Sequence, residues 1–157
     1  MSGLNFEDLQ PDDSWVTPAR TVTESDVTQF AAMTGDFNPL HVDHEFAATG
    51  PFKRPIAHGL LGLSWVAGLS CNSPQVNTVA FVAIRNWSFL RPVYFGDTIH
   101  VESKVAQKGS TGKRAGTVIW THSVRNQKGK LVQEGVFETL VALSEPAKKT
   151  IATDAAP

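Results

Sequence analysis

Between Ala57 and Cys71 the chain reads Ala-His-Gly-Leu-Leu-Gly-Leu-Ser-Trp-Val-Ala-Gly-Leu-Ser-Cys, apolar on every side rather than along one stripe. A helix of that kind is expected to be buried all round. At about 15 residues it falls short of the roughly 20 that cross a bilayer. Gly59, Gly62, Ala67 and Gly68 would let another backbone approach it closely. A helix wrapped by a sheet satisfies both constraints, and at 157 residues the chain has room for one such core and not two.

The flanking segments supply the wrapping. Trp15 to Thr23 reads as a first strand, and Thr23 with Glu24, Ser25 and Asp26 forms an N-cap and acidic first turn for a helix ending by Gly35. Val27, Phe30 and Ala31 recur at three- and four-residue spacing, which puts one stripe on the core. A short helix is expected over Asp43 to Ala48 before Thr49-Gly50-Pro51. Val79 to Leu90 is apolar on both faces at first and reads as a central strand. Ile99, Val101 and Val105 alternate with His100, Glu102 and Lys104, and Val118, Trp120 and Val124 alternate with Thr121 and Ser123. Those are half-buried strands. A loop over Lys108 to Lys113 and a turn over Asn126 to Lys130 join them to Leu131 to Leu143, as an antiparallel meander. Residues 1–14 read as an N-terminal extension and 15–144 as the domain. The Pro/Ala/Lys/Thr tail, 145–157, is expected to be disordered.

Formal charge is −1, from 14 basic and 15 acidic side chains spread along the chain. No electrostatic footprint for nucleic acid or an anionic membrane results. Cys71 is the lone cysteine, which excludes an internal disulfide and suits a reducing compartment; it reads as a buried structural thiol. The polar, acidic start has no positive n-region or apolar h-region, so the expected location is cytoplasmic.

Chemistry concentrates just ahead of the apolar helix. In Gly35-Asp36-Phe37-Asn38-Pro39-Leu40-His41 a carboxylate and an imidazole stand five residues apart on a segment that Gly35 and Pro39 bend. An acid and a base presented to one small volume suit proton transfer at one substrate. Asp36 and Asn38 are also common turn formers, and their types alone do not decide between the two uses.

This motif, with Phe46-Ala47-Ala48-Thr49, Arg54-Pro55-Ile56-Ala57-His58-Gly59-Leu60-Leu61 and Pro92-Val93-Tyr94-Phe95-Gly96-Asp97, resembles the MaoC-like hydratases, specifically (R)-specific enoyl-CoA hydratases. The likeness extends over most of residues 15 to 143. It implies an α+β hotdog fold, a long helix wrapped by a curved antiparallel sheet, paired across two subunits into a larger sheet. It also implies hydration of a trans-2-enoyl thioester of coenzyme A or acyl carrier protein to the (R)-3-hydroxyacyl thioester, or the reverse, with no metal or organic cofactor.

By that resemblance Asp36 and His41 are the catalytic dyad, with His41 activating water and Asp36 orienting it and relaying a proton to C2, or the two roles exchanged. Asn38 supports the loop or the water. The backbone N–H of Gly59 is the expected donor to an enolate oxygen, and Ser64 matches a position near the dyad. Lys53, Arg54 and Arg91 are the cations closest to the motifs and so the candidates for coenzyme A phosphates. His58 reads as a capping or packing histidine, and His41, Asp43 and His44 make only a weak metal cluster. Trp15, Trp65, Trp87 and Trp120 read as core or interface residues, and His100 and His122 carry no assignment. Two rival readings are an acyl-CoA thioesterase on the same fold and a non-catalytic acyl-CoA-binding module.

Overall fold

The structure, a computed structural model, describes residues 3–144. After a 3-10 turn at Phe6–Asp8 the elements are β1 (Ser14–Val16), β2 (Arg20–Thr21), α1 (Glu24–Thr34), α2 (Pro39–Val42), α3 (His44–Thr49), α4 (Gly59–Ser70), β3 (Thr78–Phe89), β4 (Thr98–Thr111), β5 (Ala115–Asn126) and β6 (Leu131–Ala142). The strands form one antiparallel sheet in the order β1-β4-β5-β6-β3, with β2 also pairing β4. The tail expected to be disordered lies outside the described residues.

Local chemistry sets the element ends. Thr23 caps α1, its hydroxyl accepting from Asp26 N–H at 3.1 Å while the Asp26 carboxylate accepts from Thr23 N–H at 2.9 Å. Gly35, at φ +80°, closes the helix in the left-handed region and donates its N–H to Ala31. In β4 and β5 the predicted alternation holds: Ile99, Val101, Val105, Val118, Trp120 and Val124 face inward. They pack with Phe137 of β6 and with Leu61 and Val66 of α4 in one core, and Val27 and Phe30 of α1 join it. Register shifts in β3 and β4 bend the sheet around the helix. Phe6 and Leu9, ahead of the first strand, are also buried in this core.

Five expectations change. The first strand is broken into β1 and β2, because Pro18 interrupts the segment and Thr17 uses its hydroxyl as well as its N–H to bond Val101. The expected loop at Lys108 to Lys113 is mostly strand, since β4 runs to Thr111 and the turn closes by Gly112 N–H donating to Ala115. β3 is an edge strand, paired to β6 alone, and Val79, Phe81, Val82, Ile84 and Phe89 are exposed. Apolar character on both faces does not by itself mark a central strand; it reports only that both faces want cover. α4 is likewise covered on one side only: Leu61, Gly62 and Val66 are buried, whereas Leu60, Ser64, Ala67, Gly68 and Cys71 line an exposed stripe. Cys71 is therefore an exposed thiol and not a buried one.

Candidate functional site

Asp36 and His41 sit on either side of a turn built by their own neighbours. Asp36 Oδ1 accepts from Asn38 N–H at 3.2 Å, and Asn38 Oδ1 accepts from Leu40 N–H at 3.0 Å, capping α2 with Pro39 at its first position. One turn thus places both the Asp36 carboxylate and the His41 ring. Asn38 spends its side-chain oxygen on the cap of α2. His41 falls on the helical turn α2, not on a loop.

The His41 ring has a defined tautomer. Its Nδ1 lies 2.7 Å from the Ile56 carbonyl oxygen, which can only accept, so Nδ1 carries the proton and Nε2 keeps a lone pair. Burial lowers the pKa of His41 from the ordinary value; the Ile56 carbonyl pulls it back up, His58 lowers it and Asp36 raises it. The net direction is down, which favours the neutral ring. His41 lines a cavity of about 510 Å³ with Ile56, Gly59, Leu60, Phe89 and Arg91. The nearest ring and carboxylate atoms of Asp36, His41 and His58 all lie within 4.8 Å of one another.

His58 is the residue that sequence reasoning set aside. It is 3% exposed, its Nε2–H donates to the Asp36 carbonyl oxygen at 2.9 Å, and its Nε2 is 3.8 Å from Asp36 Oδ2. Its ring lies against His41 with centroids 3.8 Å apart and planes 30° apart. The sequence signal was there in the order His58-Gly59, a polar ring at the mouth of an otherwise apolar helix. Asp36, His41 and His58 could also be considered as metal ligands, replacing the His41, Asp43 and His44 cluster. The two imidazoles, however, present faces rather than lone pairs to each other, and His58 Nε2 is committed to a carbonyl. That geometry serves proton transfer better than ligation.

Gly59 opens α4 directly after His58. The N–H groups of Leu61 and Gly62 turn back to the His58 carbonyl, and those of Gly59 and Leu60 have no backbone acceptor among the described residues. A Cβ on Gly59 would stand 2.9 Å from the Phe89 ring, so only glycine lets the strand and the helix start meet here. Gln133, buried on β6, was also missed: its amide donates to the Gly59 carbonyl at 3.2 Å and accepts from Trp87 Nε1–H at 3.3 Å.

The other predicted residues divide. Arg91 reaches the cavity and donates to the Leu131 carbonyl. Arg54 instead lies over the Tyr94 ring at 4.0 Å, and exposed Lys53 makes no ion pair within the described residues. Ser64 is on the exposed stripe of α4 and its hydroxyl donates back to the Leu60 carbonyl at 2.8 Å, without a hydrogen bond to Asp36 or His41. Trp120 is buried in the core, and Trp15, Trp65 and Trp87 pack partly buried against it.

The profile of MaoC-like domains matches residues 8–127. An (R)-specific enoyl-CoA hydratase from Aeromonas caviae is 41% identical over 81 residues, 52% of this chain and 60% of that protein. A 3-hydroxybutyryl-CoA dehydratase from Methylorubrum extorquens is 35% identical over 113 residues, 71% of this chain and 70% of that one. The MaoC protein of Klebsiella aerogenes is 38% identical over 103 residues, 66% of this chain, and the chain spans only 31% of its length. Among solved structures, the R-hydratase PhaJ1 from Pseudomonas aeruginosa superposes with a TM-score of 0.74 at 30% identity, over 90% of this chain and 88% of that one. A Mycobacterium tuberculosis protein with a double hotdog fold gives a TM-score of 0.82 at 20% identity, over 99% of this chain and 52% of that one, a likeness of fold alone. The sheet wrapped on α4 is a hotdog fold.

Proposed function

Because the chain belongs to the family of MaoC-like domains, we propose that it is an (R)-specific enoyl thioester hydratase, or runs the reverse dehydration, with Asp36 and His41 as its acid/base pair. One observation carries the reading: a neutral imidazole with a free Nε2 lines a cavity able to take a substrate at the open N-terminus of α4, and a carboxylate lies within 4.8 Å of that ring. His41 Nε2 takes a proton from water as its oxygen adds to C3 of the enoyl group. The electron pair of the C2–C3 double bond moves toward the thioester, whose oxygen becomes enolate-like and is met by the Gly59 N–H. A proton delivered to C2 through Asp36 completes the addition, and elimination is the same path reversed.

The substrate carrier is coenzyme A or acyl carrier protein. Arg91, at the cavity, is the cation best placed for a coenzyme A phosphate, with Lys53 and Arg54 further out. A free Cys71 is compatible with a cytoplasmic setting, and no helix among the described residues is long and apolar enough to cross a membrane.

The working unit is a homodimer in which β3 of two copies meet. Supporting this are the exposed Phe81, Val82 and Ile84 on an unpaired strand edge. Ile84→Lys should convert a dimer to a monomer in sedimentation velocity. A wild-type protein that sediments as a monomer would remove the proposal.

Activity is tested by the loss of enoyl absorbance with a panel of trans-2-enoyl-CoAs, chiral analysis of the 3-hydroxyacyl product, and the variants Asp36→Asn and His41→Ala. Consumption of none of the substrates, or undiminished consumption by both variants, would overturn the reading. Release of free thiol without hydration would replace it with thioester hydrolysis.

A further inference from the structure

The acid/base pair is held together by a third ring. His58 donates from Nε2 to the carbonyl oxygen of Asp36, stacks on His41 and is backed by Phe30, with ring centroids 5.1 Å apart. Its successor in the chain is Gly59, which opens α4 and lines the cavity. One buried side chain therefore touches the backbone of the acid, the ring of the base and, through a single peptide bond, the backbone donor.

Its own hydrogen bonding fixes its protonation. Nδ1 of His58 is buried and has no partner among the described residues. A proton there would be sealed away from any acceptor, and a charged ring would lose still more by leaving water. Nε2 must carry a proton, because a carbonyl can only accept. The one form that suits both nitrogens is the neutral Nε2–H tautomer.

We propose that His58 is a positioning residue for the acid/base pair, an imidazole held in its Nε2–H form that sets the Asp36 carbonyl, the His41 ring and the Gly59 N–H in register. It reacts with nothing itself. Its stacked ring also covers one face of His41 and keeps water from it. The charged or titratable groups facing His41 are Asp36 from the turn, His58 from the α4 entrance and Arg91 from the segment after β3. Of these His58 alone is buried, so the dehydration of His41 on that side is its work.

The inference rests on the hydratase reading for its kinetic half only. In the full chain labelled with 15N-histidine, long-range proton–nitrogen correlation at pH 8 should show His58 as the Nε2–H tautomer. A His58 protonated on Nδ1 there would overturn the proposal whatever the enzyme does. In turnover, His58→Ala should lower kcat on the order of 100-fold, the scale of a misplacement of about 1 Å, with KM little changed. His58→Gln keeps a donor without the stack and His58→Phe keeps the stack without a donor; each should recover part of kcat. The acidic limb of kcat/KM should move to higher pH in the Ala and Gln variants, where water regains His41, and stay in place in the Phe variant. Near wild-type kcat in all three, or an acidic limb that does not move, would sink it. If the Ala variant does not fold, the spectrum of the unaltered chain still decides. If the wild type turns over no enoyl thioester, the activity reading fails while the tautomer result still tests His58.

Discussion

The two ends of α4 carry two histidine sites, separated by about 18 Å of helix. At the N-terminal end His41 lines one cavity, and atoms of His41, His58 and the Asp36 carboxylate lie within 4.8 Å of one another. At the C-terminal end Ser70, Ser103 and His122 line a second cavity of about 280 Å³, with Cys71 at its rim and Phe81 and Phe137 among its apolar walls. There the Ser70 and Ser103 hydroxyls are 3.3 Å apart, and Ser103 Oγ is 2.9 Å from His122 Nδ1. His122 stands 4% exposed, with no carboxylate among its hydrogen-bond or ion-pair partners in the described residues, and burial pushes its pKa down to about 4. His41 is half-buried, and its loss of hydration is opposed by the Ile56 carbonyl and by Asp36. Burial makes a histidine neutral at either end. Only an adjoining carboxylate and carbonyl keep one within reach of taking a proton, and that is the physical difference between a base and a core dipole.

The contrast is breakable. Exchanging the two histidines in turn gives the largest effect: His41→Ala should cost roughly 10²–10⁴-fold in enoyl turnover, whereas His122→Gln should leave turnover near that of the wild type. Equal losses would mean that the C-terminal cavity is part of the reacting site. Acid stability should separate the ends next. The native pKa of His122 lies below the ordinary 6.5, so between those values the unfolded chain binds the extra proton. The stability this neutral ring retains is complete above about pH 6.5 and is lost as pH falls toward 4, by about 3 kcal/mol at most. Urea unfolding at pH 7 and pH 4.5 should show that dependence in the wild type and a shallower one in His122→Gln. A parallel pair of profiles would refute it. Last and smallest, Ser103→Ala should remove about 1 kcal/mol of stability by taking the hydrogen-bond partner from His122, without shifting the acidic limb of kcat/KM. A shifted limb would couple two ends that the structure keeps apart.

Much of this was legible in the sequence. The Thr23 cap, the αL glycine after α1 and the alternation in β4 and β5 follow from local rules, and they hold. The motif carrying Asp36 and His41 showed itself because both residues lie within one short segment. What escaped was anything decided by cover. β3 and the outer stripe of α4 are apolar enough to be buried, and a sequence records that need without saying whether the same chain meets it. His58, Gln133 and the Ser103–His122 pair escaped for a related reason. Each acquires its partner from a residue 19 or more positions away, a pairing that depends on sheet register and helix placement.

Phe89, the last residue of β3, presses its ring against Gly59 where α4 begins. The strand proposed to join two copies therefore ends on the backbone proposed as the site's donor. If both proposals hold, assembly and rate are coupled through one aromatic ring, and turnover per chain should fall on dilution below the dimer's dissociation constant even with substrate saturating. The concentration of the protein itself would then act as a throttle on its chemistry.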